Sequence, residues 1–202
     1  MLSFTHERED DIASIREVVT AAFGRTSEAE LVEAIRDSPN FIPEFSIVAK
    51  ENGNVLGHIL FSPIVIEAEC QTVPALALAP LAVTPRHQGK GIGSQLVKAG
   101  LSKCRELISI PDRDSRLAAS PEEKINLEFI AISNQIGLNP SIVVVLGNPR
   151  FYGRFGFQTA RKLGVQAPFP VPDEAFMVLE LKPGGLNGIS GTVQYPTYFE
   201  RV

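Results

Sequence analysis

A glycine-rich stretch at residues 88–93, with the sequence QGKGIG, constrains the fold of this chain more than any other feature. The apolar residues before it predict a strand at 75–84. The residues after it, 94–101, have apolar side chains at helical spacing. Glycine lets the backbone approach a ligand closely, and the unpaired N–H groups at a helix start attract anions. The sequence therefore predicts a strand, an anion-binding turn and a helix in succession.

Two common phosphate-binding loops do not match this stretch. The dinucleotide fingerprint requires G-x-G-x-x-G, whereas Gly89, Gly91 and Gly93 are spaced G-x-G-x-G. A Walker loop requires lysine followed by serine or threonine, and Lys90 is followed by a glycine. The remaining pattern, Q-x-x-G-x-G at a helix start, resembles the pyrophosphate loop of the GCN5-related N-acetyltransferase (GNAT) superfamily. From the residues alone, a purely structural turn is the alternative.

A second segment, residues 143–157, predicts a strand, a turn, a short helix and another strand. β-Branched residues fill its start, and Pro149 suits the first position of a helix. Its end, Tyr152-x-x-x-Gly156-Phe157, resembles the second GNAT motif. The resemblance implies that Tyr152 lies beside the acetyl thioester and is the general acid, since a phenol can donate a proton to a thiolate of similar basicity. The alternative is an ordinary amphipathic helix residue.

A third resemblance covers nearly the whole chain apart from one internal segment. The C-terminal sequence at 185–196, GLNGISGTVQYP, and the tripeptide FSP at 61–63 are similar to one branch of GNAT proteins. Members of that branch are small bacterial predicted N-acetyltransferases whose acceptors are largely unassigned. The resemblance therefore implies an activity without naming its substrate.

The fold that the resemblance implies is an α/β (α+β) fold of GNAT type. It has a mixed, largely antiparallel central sheet flanked by helices on both faces, and a V-shaped split between the fourth and fifth strands houses the cofactor. We expect a single domain over residues 1–202, with a C-terminal extension at about 184–202. An inserted helical segment is expected at about 107–139, since Ser120 and Pro121 are strong helix-start residues. This helix could pack on the domain, form a dimer contact or cover the acceptor site.

The resemblance also implies acetyl-CoA as the co-substrate and assigns residues to it. Three strand residues, Leu81, Ala82 and Val83, are expected to pair through their backbone with the pantetheine arm, and the N–H of Leu81 or Ala82 to face the carbonyl oxygen. The loop and helix start are expected to hold the phosphates with backbone N–H groups, aided by the helix dipole. These cofactor-binding residues are Gln88, Gly89, Lys90, Gly91, Ile92, Gly93 and Ser94.

The general base is the least defined part of the predicted site. Glu67 is the candidate because it lies near the end of a predicted strand beside the site. Glu69, His58 and His87 are other possibilities, and a water chain could replace them all. Asn148 stands where an acidic residue is common in the branch, which leaves the acceptor open.

Composition excludes several classes of function. The formal net charge of −4 argues against a protein that binds a nucleic-acid backbone. No run of about 20 apolar residues predicts a membrane span. We expect no signal peptide, because the first residues lack a basic segment followed by an apolar run. The two cysteines predict neither a disulfide framework nor a metal site. A cytoplasmic location is expected.

The resemblance implies a bacterial, acetyl-CoA-dependent N-acetyltransferase. Direct transfer of the acetyl group to a primary amine of a small molecule or protein is expected, with the acceptor unidentified and a homodimer possible. The alternative is a non-catalytic acyl-CoA-binding or sensing module. A change of Tyr152 discriminates between them, because an enzyme needs its hydroxyl for turnover.

Overall fold

The structure, a computed structural model, describes residues 1–69, 71–109 and 140–201. The inserted segment predicted at about 107–139 lies outside the described residues from position 110 onward. The strands and α-helices among the described residues are β1 (Leu2–His6), α1 (Ile12–Phe23), α2 (Ser27–Arg36), β2 (Ser46–Glu51), β3 (Asn54–Ala68), β4 (Gln71–Val83), α3 (Ile92–Ser109), β5 (Ile142–Leu146), α4 (Pro149–Tyr152), β6 (Gln158–Thr159), β7 (Val165–Gln166), β8 (Phe176–Glu180) and β9 (Gly191–Gln194).

The strands form one mixed sheet in the order β1-β2-β3-β4-β5-β8-β6. Neighbouring strands in this order are antiparallel except β4 and β5, which are parallel. Strand β9 extends the sheet by pairing with the far end of β3 and with β7. The predicted mixed, largely antiparallel sheet is confirmed.

Helices cover both faces of the sheet, as predicted. On one face α3 buries Leu96, Val97 and Leu101 against the sheet, where they join a cluster that includes Phe61. On the other face α1 and α2 bury a second cluster, with apolar side chains at helical spacing on each helix. None of the helices among the described residues combines the length and apolar character that crossing a membrane requires.

Strands β4 and β5 separate soon after they meet. Their register contains only Leu76 opposite Val143 and Ala77 opposite Val144, although β4 continues to Val83. Just beyond Ala77, the register of β4 against β3 shifts. This shift is a bulge, and a bulge bends its strand away from the regular ladder. The predicted split between the fourth and fifth strands is confirmed.

The chemistry of Pro80 fits the position of this bulge. Ala79 and Pro80 together lie opposite Leu60 of β3, between the pairs Phe61–Leu78 and Ile59–Leu81. Proline has no N–H to donate to a ladder and is tolerated at bulges and edges.

The strand predicted at 75–84 is longer at its start, since β4 runs over Gln71–Val83. β3 passes through Pro63 as one strand, because Pro63 keeps its register opposite Leu76. β9 ends at Gln194, and Pro196 is followed by a 3-10 helix at Thr197–Arg201. The turn that joins β2 and β3 has positive φ at Asn52 and Gly53, which is typical of an Asn-Gly hairpin.

A buried polar cluster ties β1, β2, β3 and α2 together. Arg36 Nε donates to Glu7 Oε1 at 2.7 Å. The Ser46 hydroxyl donates to the Glu7 carboxylate and accepts from His58 Nε2 at 2.8 Å. Burial by itself would raise the pKa of Glu7, but hydrogen bonds from His58, Arg36 and Ser46 outweigh it and lower that pKa to about 2. Burial lowers the pKa of His58, which is therefore neutral.

Replacing Glu7 by alanine should destabilise the fold strongly. Glu7→Ala leaves the Arg36 guanidinium, whose side chain is 14% exposed, without its carboxylate. This costs about 3 kcal/mol of unfolding free energy, the lower end of the range for buried pairs. The matched control is Glu33→Ala, which removes an ion pair with Arg16 whose side chains are 42% and 38% exposed. Exposed pairs contribute little, so urea denaturation at pH 7 should show almost no change for the control.

The loss caused by Glu7→Ala should depend on pH. The pKa of Glu7 is lowered in the folded state, so its stabilisation is complete above about pH 4.5 and is lost as the pH falls toward about 2. The gap between wild type and Glu7→Ala should therefore close over this range. A gap at pH 7 no larger than that of Glu33→Ala would contradict the account of the cluster.

Candidate functional site

The chain passes from β4 into α3 through a turn that is anchored at both ends. The Thr84 N–H donates to Leu56 O at 2.9 Å, which holds the end of β4 against β3. A 3-10 turn at Pro85–His87 follows. Gln88 then folds back, because its side-chain Nε2 donates to Val83 O at 3.0 Å. The strand–turn–helix predicted from the glycine-rich stretch is confirmed.

Glycine is required at two positions of this turn. Gly89 and Gly91 have φ of 74° and 85°, in the left-handed region that other residues rarely adopt. Helix α3 begins directly afterwards at Ile92. At its start, the Gln95 N–H donates a hydrogen bond to Gly91 O at 3.1 Å. The N–H groups of the first helical turn have no intrahelical partner, so they point out of the helix start as donors.

The register of β4 determines which of its backbone groups face the split. Hydrogen-bonded and non-hydrogen-bonded pairs alternate along an antiparallel ladder. Thr84 is hydrogen-bonded to Leu56, so Ala82 also directs its N–H and C=O toward β3. Leu81 and Val83 then direct theirs away from β3, into the split. Val83 O accepts a hydrogen bond from the Gln88 side chain, which agrees with a carbonyl that points away from β3.

A cavity of about 480 Å³ lies between the turn and the segment that follows β5. Its size is within the range of small-molecule sites. Its lining comes from β4, from the turn with the start of α3, and from the region of α4. The lining residues are Leu81, Val83, His87, Gln88, Gly89, Gly91, Ile92, Gly93, Ser94, Phe151 and Arg154.

The structure brings together most of the residues predicted to bind the cofactor. Two of them do not line the cavity. The Ala82 side chain belongs to the apolar cluster under α1 and α2, on the opposite face of the sheet. Lys90 is exposed and lies outside the lining.

Tyr152 is placed by a short helix with its own cap. The Asn148 side chain accepts from the Arg150 N–H at 2.9 Å, and Pro149 occupies the first turn. Asn148 therefore has a structural role that an acidic residue could fill equally well. The Tyr152 ring lies directly over Gly147, where a Cβ would overlap the ring. The lack of a side chain at Gly147 thus makes room for Tyr152.

The phenol of Tyr152 lies in an apolar environment. Its ring packs edge-on against Phe151 and Phe157, with centroid separations of 4.9 and 5.6 Å. Burial raises the pKa of Tyr152 to about 12, so the hydroxyl stays protonated at neutral pH. Tyr152 itself does not line the cavity, but the adjacent Phe151 does.

The structure does not bring Glu67 to this cavity. Glu67 pairs with Thr72 at the far end of the β3–β4 hairpin and with Thr192 of β9. At about 3.3 Å per residue, Thr72 lies about 30 Å along β4 from Leu81. Of the other possible bases, His58 is fully buried in the polar cluster, and His87 lines the cavity with Nδ1 2.9 Å from the Thr84 hydroxyl.

Sequence reasoning missed two residues of the cavity, Phe151 and Arg154. They are three apart in the segment 143–157, so a helical turn puts them on the same side. That spacing was the available signal. Arg154 Nη2 also lies 3.4 Å from the Ser94 hydroxyl, so the two sides of the split approach each other here.

The sequence matches a known family. A model of the acetyltransferase (GNAT) family matches residues 12–119, more than half of the chain. This chain belongs to the GNAT acetyltransferase family. The resemblance inferred from the two motifs is confirmed.

Related proteins agree with this assignment. The GNAT protein is 31% identical to the uncharacterized N-acetyltransferase YjhQ of Escherichia coli K12 over 167 residues, which cover 82% of this chain and 75% of YjhQ. It is 28% identical to the uncharacterized N-acetyltransferase YhbS of the same strain over 191 residues, which cover 95% of this chain and 94% of YhbS.

Solved structures share the fold over nearly the whole chain. The crystal structure of E. coli YhbS in complex with CoA has a TM-score of 0.74 at 27% identity and covers 98% of this chain and 92% of its own. A GNAT acetyltransferase from Brucella melitensis in complex with acetyl-CoA has a TM-score of 0.62 at 28% identity and covers 98% of both chains.

Adding a methyl group at Gly147 should disturb Tyr152. In Gly147→Ala the new Cβ overlaps the phenol ring, so the ring or the α4 turn must shift. We expect a loss of about 1–3 kcal/mol of unfolding free energy, as for other overpacked sites. Chemical denaturation measures this loss.

Gly153→Ala is the matched control for Gly147→Ala. Gly153 follows Tyr152, has helical backbone angles, and a Cβ there meets nothing within 4 Å. Its unfolding free energy should be unchanged or slightly higher. Equal stabilities for the two alanine variants would refute the close approach of Tyr152 to Gly147.

Proposed function

We propose that this protein is an acetyl-CoA-dependent N-acetyltransferase that transfers the acetyl group directly to a primary amine of a small molecule or protein. The observation that carries the proposal is the cavity at the β4–β5 split, with the glycine-rich turn on one side and α4 on the other. The complexes of E. coli YhbS with CoA and of the Brucella protein with acetyl-CoA support the choice of donor.

The lining of the cavity fits acetyl-CoA in its chemistry. The helix start with Gly89 and Gly91 presents N–H donors to a diphosphate. Leu81, Val83 and Phe151 provide an apolar wall for the pantetheine arm. Because Leu81 and Val83 direct backbone groups into the split, amides of that arm can pair with them as an added strand would.

Acetyl-CoA supplies an activated thioester, and the residues of this chain prepare it for transfer. In this proposal the Leu81 N–H polarises the thioester carbonyl, since Leu81 directs its backbone into the split whereas Ala82 does not. A fixed donor aimed at developing negative charge stabilises the transition state. These contacts are made by the main chain, so they depend on the course of β4 rather than on its side chains.

Tyr152 is the proposed proton donor to the departing thiolate. Burial raises its pKa to about 12, so the hydroxyl is protonated at neutral pH and can act as a donor. The same apolar surroundings also make a thiolate formed there more basic, which favours its protonation. Among the described residues, the hydroxyl makes no hydrogen bond that would compete for this proton. The described lining contains no carboxylate but includes the imidazole of His87, so we assign the removal of the amine's proton to His87 or to water.

Acetyl-CoA and CoA should stabilise the protein, and NADH should not. A ligand that binds only the folded state adds about 2.7 kcal/mol of stability at 100 times its dissociation constant. Thermal unfolding with each ligand at millimolar concentration measures the shift. No shift with either acetyl-CoA or CoA would overturn the proposal, and an equal shift with NADH would indicate a general nucleotide site.

Removing one hydroxyl should separate catalysis from binding. Tyr152→Phe should keep the acetyl-CoA dissociation constant within about twofold and lower kcat about 100-fold or more, the usual effect of losing a general acid. Turnover is measured as free thiol released with a panel of small and peptide amines, and affinity by calorimetry.

Tyr195→Phe is the matched control for the loss of a phenol hydroxyl. Tyr195 is partly buried in an aromatic group with Phe169 and Phe199, away from the described cavity lining. Its kcat should be nearly that of wild type. If Tyr152→Phe also kept full turnover, Tyr152 would not be the acid.

A further inference from the structure

Arg154 is an exposed arginine that stacks on aromatic rings at the rim of the cavity. Its guanidinium carbon lies 4.8 Å from the ring centroid of Phe151 and 5.7 Å from that of Phe155. Its Nε donates to Phe151 O at 3.2 Å. Two aromatic contacts and a main-chain hydrogen bond restrict the side chain, since guanidinium groups stack favourably on aromatic faces. The direction of its remaining donors is therefore set in advance.

The guanidinium reaches across the split to the start of α3. Arg154 follows β5 in the chain, whereas Ser94, whose hydroxyl is 3.4 Å from Arg154 Nη2, lies in the first turn of the helix that follows β4. The positive charge is thus beside the N–H groups that Gly91 and its neighbours present. Both groups attract anions, and neither can neutralise the other.

Most of the N–H donors of Arg154 have no hydrogen-bond partner among the described residues. A guanidinium carries five N–H donors, and two of them have partners among the described residues, Phe151 O and the Ser94 hydroxyl. No carboxylate of the described residues is within ion-pair distance of it. By contrast, Arg16, Arg36 and Arg161 each face a carboxylate.

We propose that Arg154 binds the diphosphate of the acyl-CoA donor from the side opposite the glycine-rich turn. This inference rests on the proposed function. The planar fork of a guanidinium matches two phosphate oxygens at once. The diphosphate would be held between main-chain N–H groups on the β4 side and Arg154 on the β5 side. One ligand group would then join the two halves of the split, with the thioester arm running from there along β4.

Three ligands test which phosphate Arg154 contacts: CoA, dephospho-CoA, which lacks the 3′-phosphate, and pantetheine, which lacks all phosphates. Calorimetry at one ionic strength gives each dissociation constant. Arg154→Gln should bind CoA and dephospho-CoA about 10- to 100-fold more weakly, the range for one charge-assisted hydrogen-bonded contact. Its affinity for pantetheine should stay at the wild-type value. Arg154→Lys should be intermediate for both phosphorylated ligands, because it keeps the charge and loses the fork.

Arg150→Gln is the matched control for Arg154→Gln. Arg150 is exposed on α4, four residues before Arg154, which lies in the 3-10 turn that follows. It has the same charge and lies outside the cavity lining. It should bind all three ligands within about twofold of wild type, which separates a local contact from a general change in charge. Unfolding midpoints of the variants without ligand should equal that of wild type.

The possible failures are distinguishable. If wild type binds neither CoA nor dephospho-CoA, the proposed function fails. If wild type binds both and Arg154→Gln binds both equally well, the proposed function stands and the role of Arg154 is refuted. A loss confined to CoA would assign Arg154 to the 3′-phosphate and refute the diphosphate contact. An equal loss for pantetheine would show that the variant disturbs the cavity itself.

Discussion

The bulge in β4 at Ala79 and Pro80 is the constraint on which the rest of the site depends. It comes just after Ala77, the last residue of β4 that pairs with β5. Because proline cannot donate to a ladder and a bulge bends its strand, β4 leaves β5 while both still lie within the sheet. The backbone of Leu81 and Val83 is thereby freed to meet a ligand. Without the separation, β5 would pair with this backbone and fill the split.

Both motifs owe their positions to this separation. The glycine-rich turn ends β4 and the Tyr152 helix follows β5, so two parallel strands deliver them to the same edge of the sheet. Among the described residues they approach each other through Phe151 and Arg154, which share the cavity with the start of α3. A site built from two halves that meet in few contacts needs each half to be rigid. Gly147 under the Tyr152 ring and the stacked Arg154 provide that rigidity on the β5 side.

The glycine-rich turn and the Tyr152 helix could be predicted from the sequence, since glycine, proline and capping residues act on neighbours a few positions away. The position of Glu67 relative to the cavity could not be predicted in this way. Glu67 lies near a strand end, but β3 and β4 form a long hairpin, and Glu67 is at its turn end while the cavity is at the other. Which end of the hairpin lies beside the cavity depends on how the strands pair, and strand pairing is not a local property of the sequence. Arg154 was overlooked for a related reason, because its partner Ser94 is distant in the chain.

The sequence by itself determined the local elements of this protein: the strand, turn and helix around residues 88–93, the hairpin at 52–53, and the helix that carries Tyr152. Each follows from backbone preferences of single residues and from apolar spacing. Only the tertiary structure decided that β4 parts from β5 beyond Ala77, that Leu81 and Val83 rather than Ala82 face the split, and that Arg154 joins the cavity. These features depend on register and on packing between distant segments, where the energy of one contact is set by the position of whole strands.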